Sequence, residues 1–399
     1  MTHTHDTALT RPLFDLPDGV TYLDGNSLGP LPCGAAQRVA DRMQDEWGAM
    51  LITAWNRAGW MAEPARISAR IARLIGAEPD HVTLGDTLSL RLYQALHAAL
   101  SLTDRREIIT DSGNFPSDLY MAQGLLDTLG RGHTLRVVAP KDVASAISDE
   151  TAVLMLTQVD YRTGRKHDMA ALTAKAHDHG ALTVWDLAHS AGAIPVNLTG
   201  AQADFAVGCT YKFLNGGPGS PAFLYAAPRH VNAVHPALPG WLGHAQPFAF
   251  EPKYTPAEGI DRFRVGTPPV LALAALDAAL DAFDDTTMRA ILETSITLSE
   301  QLIQGIATHA PQLTLASPTD PAQRGSQVSF RHPHAYAICQ ALIAQGVIGD
   351  FRAPDILRFG ITPLYTTAGD IDRAVQILGE IMKTGAWDRP EFHARQAVT

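Results

Sequence analysis

The sequence predicts an α/β protein. Its large domain is built on a mostly parallel sheet with helices on both faces, and a smaller C-terminal α+β domain follows. Short apolar runs alternate with helical stretches between residues 82 and 225, as in strands joined by helical crossovers. This alternation stops after Pro268. Hydrophobic residues make up 46% of the 399 residues and charged residues 18%, which favours a large core and a buried subunit interface.

The predicted elements fall into three parts. Residues 1–32, rich in Gly and Pro, are expected to form an extended N-terminal arm. Residues 33–280 are expected to form the large domain, with helices at 35–50, 62–75, 88–100, 116–129, 169–179 and 269–283 and strands in EIIT, LRVV, AVLMLTQV, ALTVWD and PAFLY. Residues 281–399 are expected to form the small domain, to which the arm contributes, with helices at 288–309, 335–345 and 371–383 and strands in QVSFRH and ILRFG.

Charge and cysteine content exclude several classes of protein. A net charge of −10 without a basic block argues against nucleic acid as a partner, so an anionic ligand must be met by local positive groups. Cys33, Cys209 and Cys339 are too far apart for a metal site and too few for a disulfide framework. The start, MTHTHDTALT, does not resemble a signal peptide, and two aspartates interrupt the apolar stretch 270–283, so we expect no membrane span and a cytoplasmic location.

The stretch ADFAVGCTYKFLNGGPGSPAFLY makes Lys212 the first candidate for chemistry. An apolar run precedes this lysine, and a flexible Asn-Gly-Gly-Pro-Gly segment follows it. The alternative is a surface lysine beside a turn. The neighbouring residues indicate burial instead, and a buried lysine loses its proton readily, as Schiff-base chemistry requires. Tyr211 beside it offers a phenol.

Asp186 in ALTVWDLAHSAG is the second candidate, because it ends an apolar strand where open α/β sheets place ligands. A carboxylate there could pair with the pyridine nitrogen of pyridoxal phosphate and keep that nitrogen protonated. Lys212 follows 26 residues later, and His189 lies three residues after Asp186. The alternative is an ordinary N-cap for the following helix.

Two further stretches could complete a cofactor site. In LGDTLSLRLYQAL, Asp86 and Thr87 are typical helix caps, and the free amides of Leu88 and Ser89 suit a phosphate group; the alternative is an ordinary capped helix. In DSGNFPSDLY, Phe115 could stack on a pyridine ring and Asp118 could accept a hydrogen bond from its edge. There the alternative is a hydrophobic staple with an N-cap.

With these pieces in order, the chain resembles the kynureninase family, within the fold-type I pyridoxal-phosphate enzymes of the aminotransferase class V group. The similar stretches run through nearly the whole chain, and YLDGNSLG and TYK followed by NGGPG are specific to this family. They are YLDGNSLGPLP at 22–32, NFPSD at 114–118, LTQVDYRTGRKHDM at 156–169, WDLAHSAG at 185–192, YKFLNGGPGSPAFLY at 211–225, RFRVGTPP at 262–269 and LRFGITPLY at 357–365. The resemblance implies a seven-stranded large sheet and a homodimer with the active site at the subunit interface.

The resemblance also implies roles for individual residues. Lys212 would hold pyridoxal 5′-phosphate covalently, Asp186 would pair with its ring nitrogen, and Phe115 would stack on the ring. The phosphate would be held by Leu88, Ser89 and Tyr211, with Trp241 and Thr267 near it from the second subunit. Asp118, Thr157 and His189 would line the cofactor. One departure is Arg91, which stands where a smaller polar residue is expected.

On the substrate side, Arg358 would bind the α-carboxylate, because its planar fork suits one. The aromatic end would face Asn26, Ser27, Trp55 and Asn56. The implied reaction, part of tryptophan catabolism, is hydrolytic Cβ–Cγ cleavage of kynurenine, or of its 3-hydroxy form, to alanine and the matching anthranilate. We assign Tyr211 as general acid–base at the γ carbon, because it lies beside Lys212.

Three alternatives share part of this pattern. A cysteine desulfurase or selenocysteine lyase has the same fold and lysine but needs a mobile, exposed cysteine, which none of the three cysteines resembles. An aminotransferase leaves the family-specific stretches unexplained. A cofactor-binding regulator carries an added DNA-binding domain, for which this acidic chain has no spare segment.

Overall fold

The structure is a computed structural model that describes residues 8–395. Most of the stretch considered above for a signal peptide, and the last four residues of the expected small domain, lie outside the described residues. The helices are α1 (Cys33–Asp41), α2 (Ala54–Arg57), α3 (Glu63–Leu74), α4 (Leu88–Leu100), α5 (Pro116–Leu129), α6 (Val143–Ala146), α7 (Met169–Asp178), α8 (Pro228–Val231), α9 (Val270–Leu280), α10 (Met288–His309), α11 (Ala335–Ala344), α12 (Ala368–Thr384) and α13 (Pro390–His393).

The strands form two main sheets and two small pairs. They are β1 (Phe14–Asp15), β2 (Thr21–Tyr22), β3 (Leu31–Pro32), β4 (Val82–Leu84), β5 (Glu107–Asp111), β6 (Thr134–Val138), β7 (Thr151–Thr157), β8 (Leu182–Asp186), β9 (Phe205–Gly208), β10 (Phe223–Ala226), β11 (Thr314–Leu315), β12 (Gln327–Arg331), β13 (Val347–Ile348), β14 (Asp350–Arg352) and β15 (Ile356–Gly360). In space the large sheet runs β4-β10-β9-β8-β7-β5-β6 and the second sheet β11-β12-β15-β14.

The large sheet is mostly parallel, as predicted. Strands β5 to β9 pair in parallel, and β10 runs antiparallel to both of its neighbours, β9 and β4. Side chains alternate between two buried clusters along each strand: Leu154 packs on one face with α3, α7 and α9, and Met155 on the other with α4 and α5. A sheet covered on both faces by helices confirms the predicted α/β class.

The second sheet is antiparallel and has its own core. Its strands pack with α10, α11 and α12 in a cluster that also takes in Leu23 from the N-terminal segment. The N-terminal segment is pinned further by the parallel pair β2 and β13. As a result, Ser27 reaches Asp350 on β14, and Gly29 reaches the Tyr211 carbonyl in the loop after β9.

Several elements differ in extent from the prediction. The helix expected at 35–50 ends as an α-helix at Asp41 and continues as a wider π-helical segment from Arg42 to Gly48. The three-residue strand β14 was not predicted, because three residues show no periodicity. No helix in the part of the chain described here is long and apolar enough to cross a membrane.

Candidate active site

A cavity of about 480 Å³ opens where β7, β8 and β9 end. The carboxyl ends of parallel strands meet at one edge of a sheet, and ligands of open α/β proteins bind there. The N-terminal segment and the strands β14 and β15 close its other side. Its lining residues are Asn26, Ser27, Thr87, Leu88, Ser89, Phe115, Ser117, Thr157, Tyr161, Asp186, Ala188, His189, Cys209, Tyr211, Lys212, Arg352 and Arg358.

Lys212 follows β9 in a tight loop whose amine points into this cavity. Its Nζ lies 3.1 Å from His189 Nε2. The loop is held because Asn215 N donates to the Lys212 carbonyl, and Gly29 N donates to the Tyr211 carbonyl at 2.8 Å. A Cβ on Gly29 would lie 2.5 Å from the Asn215 Cα, so only glycine allows the arm this close. Lys212 is half-buried rather than buried as expected, because its side chain reaches the open cavity.

Two buried carboxyl groups lie near the amine. Asp186 ends β8, is 3% exposed, and accepts a hydrogen bond from Ala188 N at 2.8 Å. Burial raises the pKa of Asp186, although Lys212 opposes the shift. Burial and the neighbouring Asp186 raise the pKa of Asp118 well above its ordinary value. The two carboxyl groups at this edge would therefore stabilise a positively charged group, such as a protonated ring nitrogen.

His189 is buried beside Lys212 and faces the arginine side of the cavity. Burial, followed by Lys212 and Arg358, holds its pKa well below the ordinary value. The imidazole is therefore neutral, and its Nε2 can accept a hydrogen bond from Lys212.

Helix α4 points its first turn at the cavity. Thr87 is its N-cap: it is extended, and its hydroxyl oxygen accepts from Leu90 N. The first amides of a helix have no acceptor within it, so those of Leu88 and Ser89 can bind an anion. Both residues line the cavity, which brings the predicted phosphate-binding turn to Lys212. Arg91, one turn further, is buried and donates to the carbonyls of Gly85 and Phe263.

Phe115 lies at the cavity edge with its ring centroid 5.9 Å from Lys212 Nζ. It is the extended N-cap of α5, and Pro116 begins the helix. Asn114 Oδ1 accepts from Phe115 N at 2.7 Å, and the Tyr161 ring meets the Phe115 ring edge to face at 5.1 Å. The ring is 42% exposed. An aromatic face is thus available beside the amine.

Arg358 on β15 lines the opposite side of the cavity. Its cross-strand neighbour on β14 is Asp350, and their side chains form a salt bridge. Arg358 Nη2 also donates to Ser27 Oγ at 2.9 Å. Ser27 therefore contacts the arginine meant for the substrate carboxylate, whereas the resemblance placed it at the aromatic end.

Five predicted residues are absent from the lining of this cavity. One of them, Asp118, is fully buried beside Asp186. The other four lie elsewhere. Trp55 and Thr267 line a separate apolar cavity of about 400 Å³ together with Trp60. Asn56 is exposed on α2, and Trp241 is 41% exposed and packs edge to face against Phe248. Within one chain, none of these four lines the cavity that contains Lys212.

The structure adds cavity residues that sequence reasoning missed: Tyr161, Cys209, Ser117 and Arg352. Tyr161 lies inside one of the stretches that carry the resemblance, 156–169, which was the available signal. Arg352 belongs to the unpredicted strand β14, so its position depends on strand pairing. Cys209 was assigned to the buried run before Lys212, and it is buried.

Comparisons with known proteins give close relatives over nearly the whole chain. The chain is 49% identical to the kynureninase of Pseudomonas fluorescens over 397 residues, which cover 98% of this chain and 95% of the relative. It is 50% identical to the kynureninase of Burkholderia mallei (strain SAVP1) over the same shares. The family described as "Kynureninase C-terminal domain" matches residues 291–378.

Solved structures that resemble this fold are more distant in sequence. A C-DES mutant with glycine covalently linked to the PLP cofactor superposes with a TM-score of 0.82 at 21% identity, covering 93% of this chain and 99% of that one. An apo cysteine desulfurase from Thermococcus onnurineus NA1 gives a TM-score of 0.80 at 19% identity, covering 96% and 100%. At such identities the likeness establishes the fold alone.

Proposed function

The chain belongs to the kynureninase family, and from that membership we propose that it hydrolyses the Cβ–Cγ bond of L-kynurenine to anthranilate and L-alanine. The observation that carries the proposal is an identity of about 50% to kynureninases over 98% of the chain. Its cofactor is pyridoxal phosphate. We propose the same cleavage for 3-hydroxy-L-kynurenine, which gives 3-hydroxyanthranilate.

The donor set of the cavity fits this cofactor. Lys212 offers an amine for a covalent bond, Asp186 a carboxylate for the ring nitrogen, and α4 two free amides for the phosphate. Phe115 offers a face for the ring, and Thr157 and His189 line the cavity beside it, while Asp118 is buried next to Asp186. When bound, pyridoxal phosphate supplies an electron sink for the charge that develops on the substrate.

The residues around the reacting atoms have distinct tasks in this proposal. Lys212 removes the proton at the substrate α carbon and returns protons after cleavage. Asp186 keeps the ring nitrogen protonated. Burial, followed by the neighbouring Cys209, raises the pKa of Tyr211, so this phenol is neutral and able to donate a proton at the γ carbonyl.

We also propose that the enzyme is a cytoplasmic homodimer with the site at its interface. Large apolar side chains are exposed in two segments that a second copy could cover. Phe248 and Phe250 lie next to Trp241, and Trp47, Leu51 and Ile52 lie between α1 and α2. In that arrangement Trp241 and Thr267 would approach the partner's phosphate turn, and Trp55 and Asn56 would approach the substrate's ring.

The direct test is to incubate the purified protein with L-kynurenine and to follow the fluorescence of the reaction mixture. Appearance of anthranilate fluorescence and of alanine supports the proposal. Sulfide or selenide release from cysteine analogues without anthranilate would point instead to a desulfurase-type enzyme. A yellow protein that transforms neither substrate would be a cofactor-binding protein without this activity. Steady-state comparison of kynurenine with its 3-hydroxy form then ranks the two substrates.

A further inference from the structure

Arg358 is almost fully committed to protein partners. Its Nε donates to Asp350 Oδ1 at 2.8 Å, its Nη2 donates to Asp350 Oδ2 and to Ser27 Oγ, and its Nη1 donates to the Tyr161 carbonyl oxygen. A guanidinium has five N–H donors, so these four bonds leave one, on Nη1. A carboxylate bound in the usual fork needs two N–H groups. Arg358 alone therefore cannot offer that fork without losing a protein partner.

Arg352 lies beside it and retains free donors. Its Nη2 lies 2.7 Å from Asp350 Oδ2 and donates to Ser27 Oγ at 3.0 Å, while its Nη1 donates to the Phe351 carbonyl at 3.3 Å. Its Nε is buried and has no hydrogen-bond partner among residues 8–395. The side chain is 31% exposed and lines the cavity. Two of its five N–H groups thus have no protein partner: that of the enclosed Nε, and one on Nη1 that remains for a ligand.

Below neutral pH, the charges around the two arginines do not cancel. Asp350 is ionised, because Arg358 and Arg352 hold its pKa below the ordinary value despite burial. The other carboxyl group in the cluster is Asp24, whose pKa burial and Asp350 raise to about 7. Burial keeps the nearby phenol of Tyr22 neutral. Below neutral pH, two guanidiniums therefore face a single carboxylate, and one positive charge is left for an anion.

We propose that Arg352 and Arg358 hold the substrate α-carboxylate jointly, and that Arg352 makes the site select a free carboxylate over a neutral amide. Each arginine supplies a free N–H group to the carboxylate. Ser27 and Asp350 bridge the two guanidiniums and fix their spacing. The inference rests on the proposed function for the identity of the substrate.

The test measures binding rather than turnover. The probes are 4-oxo-4-phenylbutanoate, which has the carbon skeleton of the substrate without its α-amino group and its ring amino group, and the corresponding amide. Their Kd values on the holoenzyme are measured by calorimetry. In the wild type the acid should bind tighter than the amide. Arg352→Gln should raise the Kd of the acid by about 10- to 100-fold, as expected for a lost charged hydrogen bond, and change that of the amide by less than about threefold.

Two further variants make the result decisive. Arg352→Lys keeps the charge without the planar fork and should give an intermediate Kd for the acid. Arg162→Gln is the matched control, because Arg162 has a similarly exposed side chain of 32% but does not line the cavity, and both Kd values should stay unchanged. The proposal is overturned if Arg352→Gln binds the acid like the wild type, or if the wild type does not prefer the acid. Failure of the wild type to release anthranilate would refute the proposed function instead.

Discussion

Lys212 and Asp186 are the residues on which the proposed chemistry depends most directly. The amine reaches the cavity from a loop pinned by the N-terminal segment, and the carboxyl group sits at the end of a buried strand. Neither residue contributes to the hydrophobic clusters. Replacing either should therefore change cofactor binding before it changes the fold.

The first prediction concerns the covalent bond at Lys212. After borohydride reduction of the holoenzyme, mass spectrometry should find the cofactor label on the tryptic peptide that contains Lys212, because an imine there is fixed by reduction. Lys212→Ala should lose the label and turnover while keeping its circular dichroism. A label on another lysine would refute the assignment.

The second prediction concerns the phenol of Tyr211. Tyr211→Phe should lower kcat by about 10²-fold or more, because a positioned proton donor contributes at least that much. The absorbance of the bound cofactor should change little, since Lys212 and Asp186 remain. Unchanged turnover would remove Tyr211 from the role of acid.

At the scale of elements, Asp204 joins several parts of the large domain just before β9. Its Oδ2 accepts from Thr183 N and lies 2.8 Å from His177 Nε2, and its Oδ1 lies 2.8 Å from His230 Nε2 and accepts from Arg229 Nη2. Helices α7 and α8 are thus tied to the sheet through one carboxylate that is 1% exposed. Breaking a buried ion pair by removing one partner is strongly destabilising.

The third prediction follows from the pKa of Asp204. Burial alone would raise it, but hydrogen bonds from His177 and His230 lower it below its ordinary value of 3.8. A lowered folded-state pKa stabilises the protein above pH 3.8, and this contribution is lost as the pH falls below that value. Asp204→Asn should lower the unfolding free energy by about 3 kcal/mol at neutral pH. Between pH 5 and pH 3, the unfolding free energy of this variant should fall less than that of the wild type. Urea unfolding measured between pH 5 and pH 3 checks both expectations. If the unfolding free energies of the variant and the wild type change in parallel with pH, the role of Asp204 is contradicted.

At the scale of the whole molecule, one chain does not bring all the proposed site residues to one cavity. Trp241 and Thr267 lie outside the cavity, and apolar side chains around Trp241 remain exposed. The division into an arm, a large domain at 33–280 and a small domain at 281–399 stays a prediction. Sedimentation measurements test the dimer directly.

The fourth prediction uses the shared site. Chains carrying Lys212→Ala and chains weakened by Trp241→Ala should regain roughly a quarter of wild-type activity when refolded together, because half of the dimers are mixed and each has one intact site. A mixture of Lys212→Ala and Asp186→Ala chains is the control without recovery, because both residues serve the same cavity. Equal behaviour of the two mixtures would show that Trp241 acts within its own chain.

By itself, the sequence determined the fold class and the order of the longer helices and strands, because alternating apolar runs are local in the chain. It also marked Lys212, Asp186, Leu88 and Phe115, which lie at strand or helix ends where turn residues give a signal. The tertiary structure alone decided that Arg352 adjoins Arg358 and that Ser27 bridges them. The contacts of Ser27 with the two arginines join residues more than 300 positions apart. The approach of Arg352 to Arg358 depends on the pairing of β14 with β15, and the three residues of β14 carry no periodic signal.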